Sequence, residues 1–201
     1  MSTAPTYALV TGASSGIGRH ISRELAQRGY SIVAVSNQPE QLDRLKKELE
    51  KIFAVKVCAW HADLAREGVA KEIFDRCEAD HLEVEVLVNN AGMLVTGDAV
   101  EVEYARAADI LQLHVNTPAL LSRLFGKKMT ERKRGYILNV SSISAVMPYP
   151  VISFYGPSKT FIRYFTRALR TEMKHLGVRV TCLLPGATAT ALYDPYQINI
   201  P

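Results

Sequence analysis

Short runs of aliphatic, often β-branched residues alternate along this chain with longer stretches whose apolar positions recur every three to four residues. The short runs read as strands at Tyr7–Val10, Ser31–Val35, Val55–Trp60, Val84–Val88, Gly135–Val140 and Val178–Leu184. The longer stretches read as helices. Gly16–Arg28 is closed by Gly29. Pro39 fits the first turn of a helix continuing over Glu40–Lys51, with Leu42, Leu45, Leu49 and Ile52 as its apolar positions. Arg66–Glu78 and Ser153–Leu176, the latter stopped by Gly177, are two more. A region from about Val102 to Arg132 is helical but contains Pro118. Proline removes a hydrogen bond and crowds the preceding turn, so a distortion is expected near Asn116. The strand runs are continuously apolar, as expected for strands covered on both faces. Six strands separated by helices predict a parallel sheet with helices on both sides, in one α/β domain over residues 1–201. No repeat, low-complexity stretch or linker divides it.

Composition narrows the classes. The chain is 48% hydrophobic and 22% charged, ordinary for a globular domain. No apolar run reaches membrane-spanning length, and the first six residues lack the basic and apolar regions of a signal peptide. Cys58, Cys77 and Cys182 are far apart and mostly set in apolar strings, so reduced thiols and a cytoplasmic location are expected. The five histidines are scattered, no His/Cys cluster has metal-ligand spacing, and no metal is expected. The net charge of +4 includes Lys127, Lys128, Arg132, Lys133 and Arg134 near a predicted helix end, where the macrodipole favours cations. No aromatic residues interleave them, so no nucleic-acid surface is expected.

Two places carry chemistry. In Thr11-Gly12-Ala13-Ser14-Ser15-Gly16-Ile17-Gly18, three glycines stand directly between the first strand and the first helix. Gly12 permits a tight turn. Gly16 and Gly18 remove side chains where a ligand and the sheet come close, and the helix start presents N–H groups to a pyrophosphate. The same glycines also fit an ordinary strand-to-helix turn. The second place is Tyr155-Gly156-Pro157-Ser158-Lys159, with Ser142 upstream. Positions i and i+4 share a helix face, and a phenol beside a cation is a general acid. Free tyrosine titrates near 10, and lowering that by about three units takes ~4 kcal/mol of preference for the phenolate. Packing accounts also exist: Phe154, Phe161, Tyr164 and Phe165 share the helix with Tyr155, Ser141 neighbours Ser142, and Asn116 fits a helix break.

Taken together, these strings resemble the short-chain dehydrogenase/reductase family over nearly the whole chain, from about Tyr7 to Thr190. The resemblance implies a doubly wound, three-layer αβα Rossmann fold. It also implies an NAD(P)-dependent enzyme that interconverts a ketone and a secondary alcohol. Gly12, Ser14, Ser15, Gly16, Ile17 and Gly18 match the family's cofactor turn. Asp63 and Leu64 match its adenine-binding position, and Asn90, Ala91 and Gly92 match its N-N-A-G after the fourth strand. Asn116, Ser142, Tyr155 and Lys159 match its catalytic tetrad, Tyr155 and Lys159 also facing the cofactor. Pro185-Gly186 and Thr190 match its P-G-x-x-x-T. Tyr155 would then donate the proton, Ser142 would bond the same oxygen, Lys159 would hold the nicotinamide ribose, and Asn116 would position a water leading to Lys159. Ser36 and Asn37 stand where an acid selects NAD(H), so NADP(H) is expected, with NAD(H) as the alternative. Val146, Met147, Tyr149, Val151, Ile152 and Phe154 suggest an apolar wall, and the family suggests a 3-oxoacyl or steroid-like carbonyl. A non-catalytic cofactor-binding protein is the alternative class. The family implies a homodimer or homotetramer. The stripe Phe161, Phe165, Leu169 and Met173 faces either a second copy or its own sheet. Family members continue into a further helix and strand, so the chain is expected to be C-terminally incomplete.

Overall fold

The computed structural model describes residues 5–188. Its strands are β1 (Tyr7–Thr11), β2 (Ser31–Ser36), β3 (Val57–His61), β4 (Val84–Asn89), β5 (Gly135–Val140) and β6 (Val178–Leu183). They form a parallel sheet in the order β3-β2-β1-β4-β5-β6. The helices are α1 (Gly16–Gln27), α2 (Pro39–Phe53), α3 (Val69–Ala79), α4 (Tyr104–Leu111), α5 (Thr117–Glu131) and α6 (Tyr155–Met173).

Successive strand side chains point to opposite faces, and that divides the core. Leu9, Val33, Val35, Leu87 and Ile137 pack with Ile73, Leu121, Phe125, Met129 and Leu169, from α3, α5 and α6. Ala8, Val10, Ile32, Ala34, Val86 and Val88 pack with Ala26, Leu42, Leu45 and Leu49, from α1 and α2. The fold is the doubly wound three-layer Rossmann arrangement. From β1 the sheet grows one way through β2 and β3, then restarts on the other side with β4. Ligand crevices open at this reversal, outside the carboxyl ends of the strands.

Several element ends differ from expectation for local reasons. Helix α2 runs on to Phe53 and closes at Ala54 in the left-handed region, so β3 starts only at Val57. Residues 64–68 form turns and a bend, and α3 starts after Gly68 (φ 80°). Helix α6 starts at Tyr155, and its last expected turn, Lys174–Leu176, tightens to 3₁₀ geometry. The expected distortion is a π-helical turn, Gln112–Asn116, between α4 and α5. Thr117 N–H reaches back five residues to the Gln112 carbonyl. Pro118 has no N–H for the carbonyl four residues earlier, and the wider turn accommodates its ring. The apolar stripe of α6 mostly covers its own sheet. Leu169 is buried, Phe165 and Met173 pack against the core, and the more exposed Phe161 stacks on Phe165 at 5.6 Å.

Candidate active site

A cleft of about 550 Å³ runs across the carboxyl ends of the strands. At one end lies the turn after β1. Thr11 Oγ1 donates to the Val88 carbonyl (3.2 Å) and accepts the N–H groups of Asn90 (2.9 Å) and Ala91 (3.1 Å). Asn90 Nδ2 donates in return to the carbonyls of Thr11 (2.9 Å) and Gly12 (3.2 Å). The turns after β1 and β4 are thereby clamped together. Gly12 has φ +64°, and a Cβ there would lie 2.8 Å from Asn90 Nδ2. A Cβ on Gly18 would lie 2.2 Å from the Gly12 carbonyl oxygen. The cradle therefore admits no side chain at either position. Gly12, Ser14, Ser15, Gly16 and Ile17 line the cleft where the orphan N–H groups of a helix start belong. Gly18 does not line it; its place is in the packing beneath the turn, against the Gly12 carbonyl and Asn90.

The end of β2 carries no carboxylate. The Gln38 N–H donates to Ser36 Oγ (3.3 Å), the Ser36 and Ser14 hydroxyls are 2.8 Å apart, and Ser14 donates to Gln38 Oε1 (2.7 Å). This closes a small polar ring around the buried Ser36. Ser36, Asn37 and Gln38 all line the cleft. Arg19 turns away from it, to Glu48 at 2.6 Å. Asp63 and Leu64 also line the cleft. Asp63 accepts the Ala65 N–H at 2.9 Å, and the Leu64 carbonyl accepts Thr117 Oγ1 at 2.8 Å.

The other end carries Ser142, Tyr155 and Lys159, all buried in the protein and all lining the cleft with Asn90, Ala91 and Gly92. Lys159 Nζ donates to the Val140 carbonyl (3.1 Å) and lies 5.7 Å from the centre of the Tyr155 ring. Burial brings its ammonium down from 10.5 to about 8. Ser142 Oγ accepts the Ser144 N–H (3.2 Å) and hydroxyl (2.8 Å), which fixes it at the start of a short 3₁₀ turn. Neighbouring Ser141 also lines the cleft but bonds differently. Its hydroxyl donates to the Lys159 carbonyl at 2.7 Å and ties β5 to α6.

Asn116 is not brought together with these three. Its side chain is exposed and donates to Gln112 Oε1 at 2.9 Å, because the π turn directs it outward. The buried member of that turn is His114, one of the five scattered histidines. Thr190 lies outside the described residues. Sequence reasoning also missed Arg106, Asp109 and Leu113, which line the cleft. Their i, i+3, i+7 spacing was the available signal of a shared helix face. Among the described residues, no cluster of His, Cys, Asp and Glu could hold a metal ion, and no helix is long and apolar enough to cross a membrane.

The arrangement joins an anion-binding helix start to a phenol, a hydroxyl and a buried ammonium. The sequence pattern described as short chain dehydrogenase matches residues 6–199. The chain is 34% identical over 198 residues to 17-beta-hydroxysteroid dehydrogenase type 3 of Homo sapiens, covering 96% of this chain and 63% of that one. It is 33% identical over 192 residues to the very-long-chain 3-oxoacyl-CoA reductase of Anas platyrhynchos, covering 92% of this chain and 61% of the relative. The chain thus spans under two thirds of the length of these relatives. A solved short-chain dehydrogenase from Sphingobium yanoikuyae, in complex with NADPH, superposes with a TM-score of 0.90 at 30% identity, covering 98% of this chain and 76% of that one.

Proposed function

The chain belongs to the short-chain dehydrogenase family, and from that premise we propose that it is an NAD(P)-dependent oxidoreductase that interconverts a ketone and a secondary alcohol. The observation that carries the reading is one cleft holding the glycine-rich turn at one end and Ser142, Tyr155 and Lys159 at the other. The cradle fits a dinucleotide: Cβ atoms are excluded at Gly12 and Gly18, and the start of α1 offers N–H groups to a pyrophosphate. The bound nicotinamide would supply the hydride. The chain's own groups handle the proton and the oxygen. Tyr155 donates its phenolic proton to the substrate oxygen, and the Ser142 hydroxyl bonds the same atom. Lys159 favours the phenolate that Tyr155 becomes. With a pKa of about 8, it is mostly charged at neutral pH. Met93 and Leu94 add apolar lining to the cleft. Together with the names of the relatives, they support an apolar carbonyl substrate of the 3-oxoacyl or steroid-like class.

Assay of Tyr155→Phe against a panel of such ketones tests this reading. Turnover is expected to fall roughly a thousandfold, with NADPH affinity kept within about threefold. Near wild-type turnover would remove Tyr155 from the role of acid.

NADPH is the preferred cofactor in this reading. Ser36, Asn37 and Gln38 present no carboxylate to repel a 2′-phosphate, and the Sphingobium yanoikuyae relative was solved with NADPH. These groups also supply no cation, so the preference is modest. Asn37→Arg is expected to tighten NADPH binding about tenfold, ~1.4 kcal/mol, and to leave NADH unchanged in a fluorescence titration. Equal or tighter binding of NADH by the wild-type chain would reverse the assignment.

A further inference from the structure

We propose that His114 is a positioning residue: its imidazole, protonated at Nδ1 and bare at Nε2, fixes the spacing between the floor of the cleft and the start of α6. This rests on the activity proposed above. His114 is 1% exposed in the π turn. The Met93 N–H approaches its Nε2 at 3.0 Å. A backbone N–H only donates, so that nitrogen carries a lone pair. The ring proton therefore sits on Nδ1, 2.9 Å from Ser158 Oγ. The Ser158 hydroxyl spends its own proton on the Tyr155 carbonyl at 2.7 Å, so its oxygen is free to accept. The chain of bonds has one direction, from Nδ1–H to Ser158 to the backbone of Tyr155. A second ring proton would set Nε2–H against the Met93 N–H.

The same ring touches the reacting groups. It meets the Tyr155 ring edge to face, with centroids 5.6 Å apart at 70°. A Cβ on Gly92 would lie 3.0 Å from His114 Nε2 and 3.4 Å from Lys159 Nζ, so cleft floor, imidazole and ammonium are in close packing. From α6, Lys159 and Tyr155 are the titratable groups that face His114. From the loop after β4 it meets backbone, at Gly92 and Met93. Burial and then the Lys159 ammonium both hold the imidazole well below its ordinary titration, in agreement with the hydrogen bonds. His114 thus joins the loop carrying Asn90, Ala91 and Gly92 to the helix carrying Tyr155 and Lys159.

Three variants and one spectrum test this. His114→Phe keeps the ring and its contact with Tyr155 but loses both hydrogen bonds. Its kcat is expected to fall about tenfold, ~1.4 kcal/mol, with ketone KM within about twofold and NADPH affinity reduced about fivefold. His114→Asn returns an N–H near the Nδ1 position and His114→Gln an acceptor near Nε2, and each is expected to recover part of the loss. A His114→Phe variant with wild-type kcat and NADPH affinity would overturn the proposal, as would Asn and Gln variants no better than Phe. In the ¹⁵N spectrum of histidine-labelled wild-type protein, the His114 signals are expected to show a protonated Nδ1 and a bare Nε2 through and below the pH at which an ordinary histidine takes up its second proton. A protonated Nε2 there overturns the proposal even if His114→Phe does not fold. If the wild-type chain reduces no ketone, the activity reading fails by itself, while the spectrum and NADPH affinity still decide the role of His114.

Discussion

The two ends of the cleft are built differently. At the β1 end, two neighbouring strand ends are cross-tied by Thr11 and Asn90, whose side chains make five hydrogen bonds of 2.9–3.2 Å to backbone groups. The segment between Ser142 and Tyr155, beside the other end, leaves Val146, Met147, Tyr149 and Val151 exposed by 47–60%. It is held to the distant loop after β4 by a Gly97 N–H bond to the Val151 carbonyl (2.8 Å) and a bridge between Gly97 and Ile152. Val151 is β-branched, yet has φ 57°. One end is stapled to a shape shared by every dinucleotide it could hold. The segment beside the other carries exposed apolar side chains that do not line the cleft, where substitution costs the fold little.

The sharpest way to break that contrast is at the stapled end. Gly18→Ala drives a Cβ into the Gly12 carbonyl. Stability is expected to fall by about 3 kcal/mol in urea denaturation, and NADPH affinity about a hundredfold, ~2.8 kcal/mol. The boundary between the ends is occupied by Lys159, whose charge is expensive to bury. Its pKa of about 8 in the folded chain lies below the ordinary 10.5. Between those values the unfolded chain holds the extra proton, so this group's contribution to stability rises with pH across that window. The full shift corresponds to about 3 kcal/mol, from which loss of the bond to Val140 subtracts about 1 kcal/mol. Cofactor-free Lys159→Met is therefore expected to be ~2 kcal/mol more stable than wild type at pH 7, though inactive. The gap should close as pH rises to about 10.5, as read by urea midpoints. At the loose end, Val151→Gly relieves a left-handed backbone. It is expected to raise stability by ~0.5–1 kcal/mol in the same denaturation assay and to leave NADPH affinity within about twofold.

The same contrast explains what could be read in advance. The turn of residues 11–18, the Asn90–Gly92 loop and the Tyr155/Lys159 pair are each local in sequence, and their spacing alone places them after strands or on one helix face. The division of labour between Ser141 and Ser142 was not legible, because alternation along β5 says nothing of which hydroxyl meets the Lys159 backbone. The pairing of Gly97 with Ile152 joins residues too distant for any local pattern. Asn116 stands apart from the groups it was expected to join for another reason. Periodicity of 3.6 assigns faces only while the helix stays α, and within the π turn that rule lapses.

That turn makes chain length itself a determinant of the site. Removing one residue between Gln112 and Asn116 would take out the extra residue that the wider turn holds and change which of its side chains faces inward. The buried imidazole would leave its partners without any change in the chemistry of the side chains that remain. Substitution there exchanges one group for another in a fixed position, whereas deletion or insertion changes which position is inside. Pro118 blocks a return to regular α-helical bonding across this point. The interior of the cleft is therefore indexed by counting residues as much as by their kind.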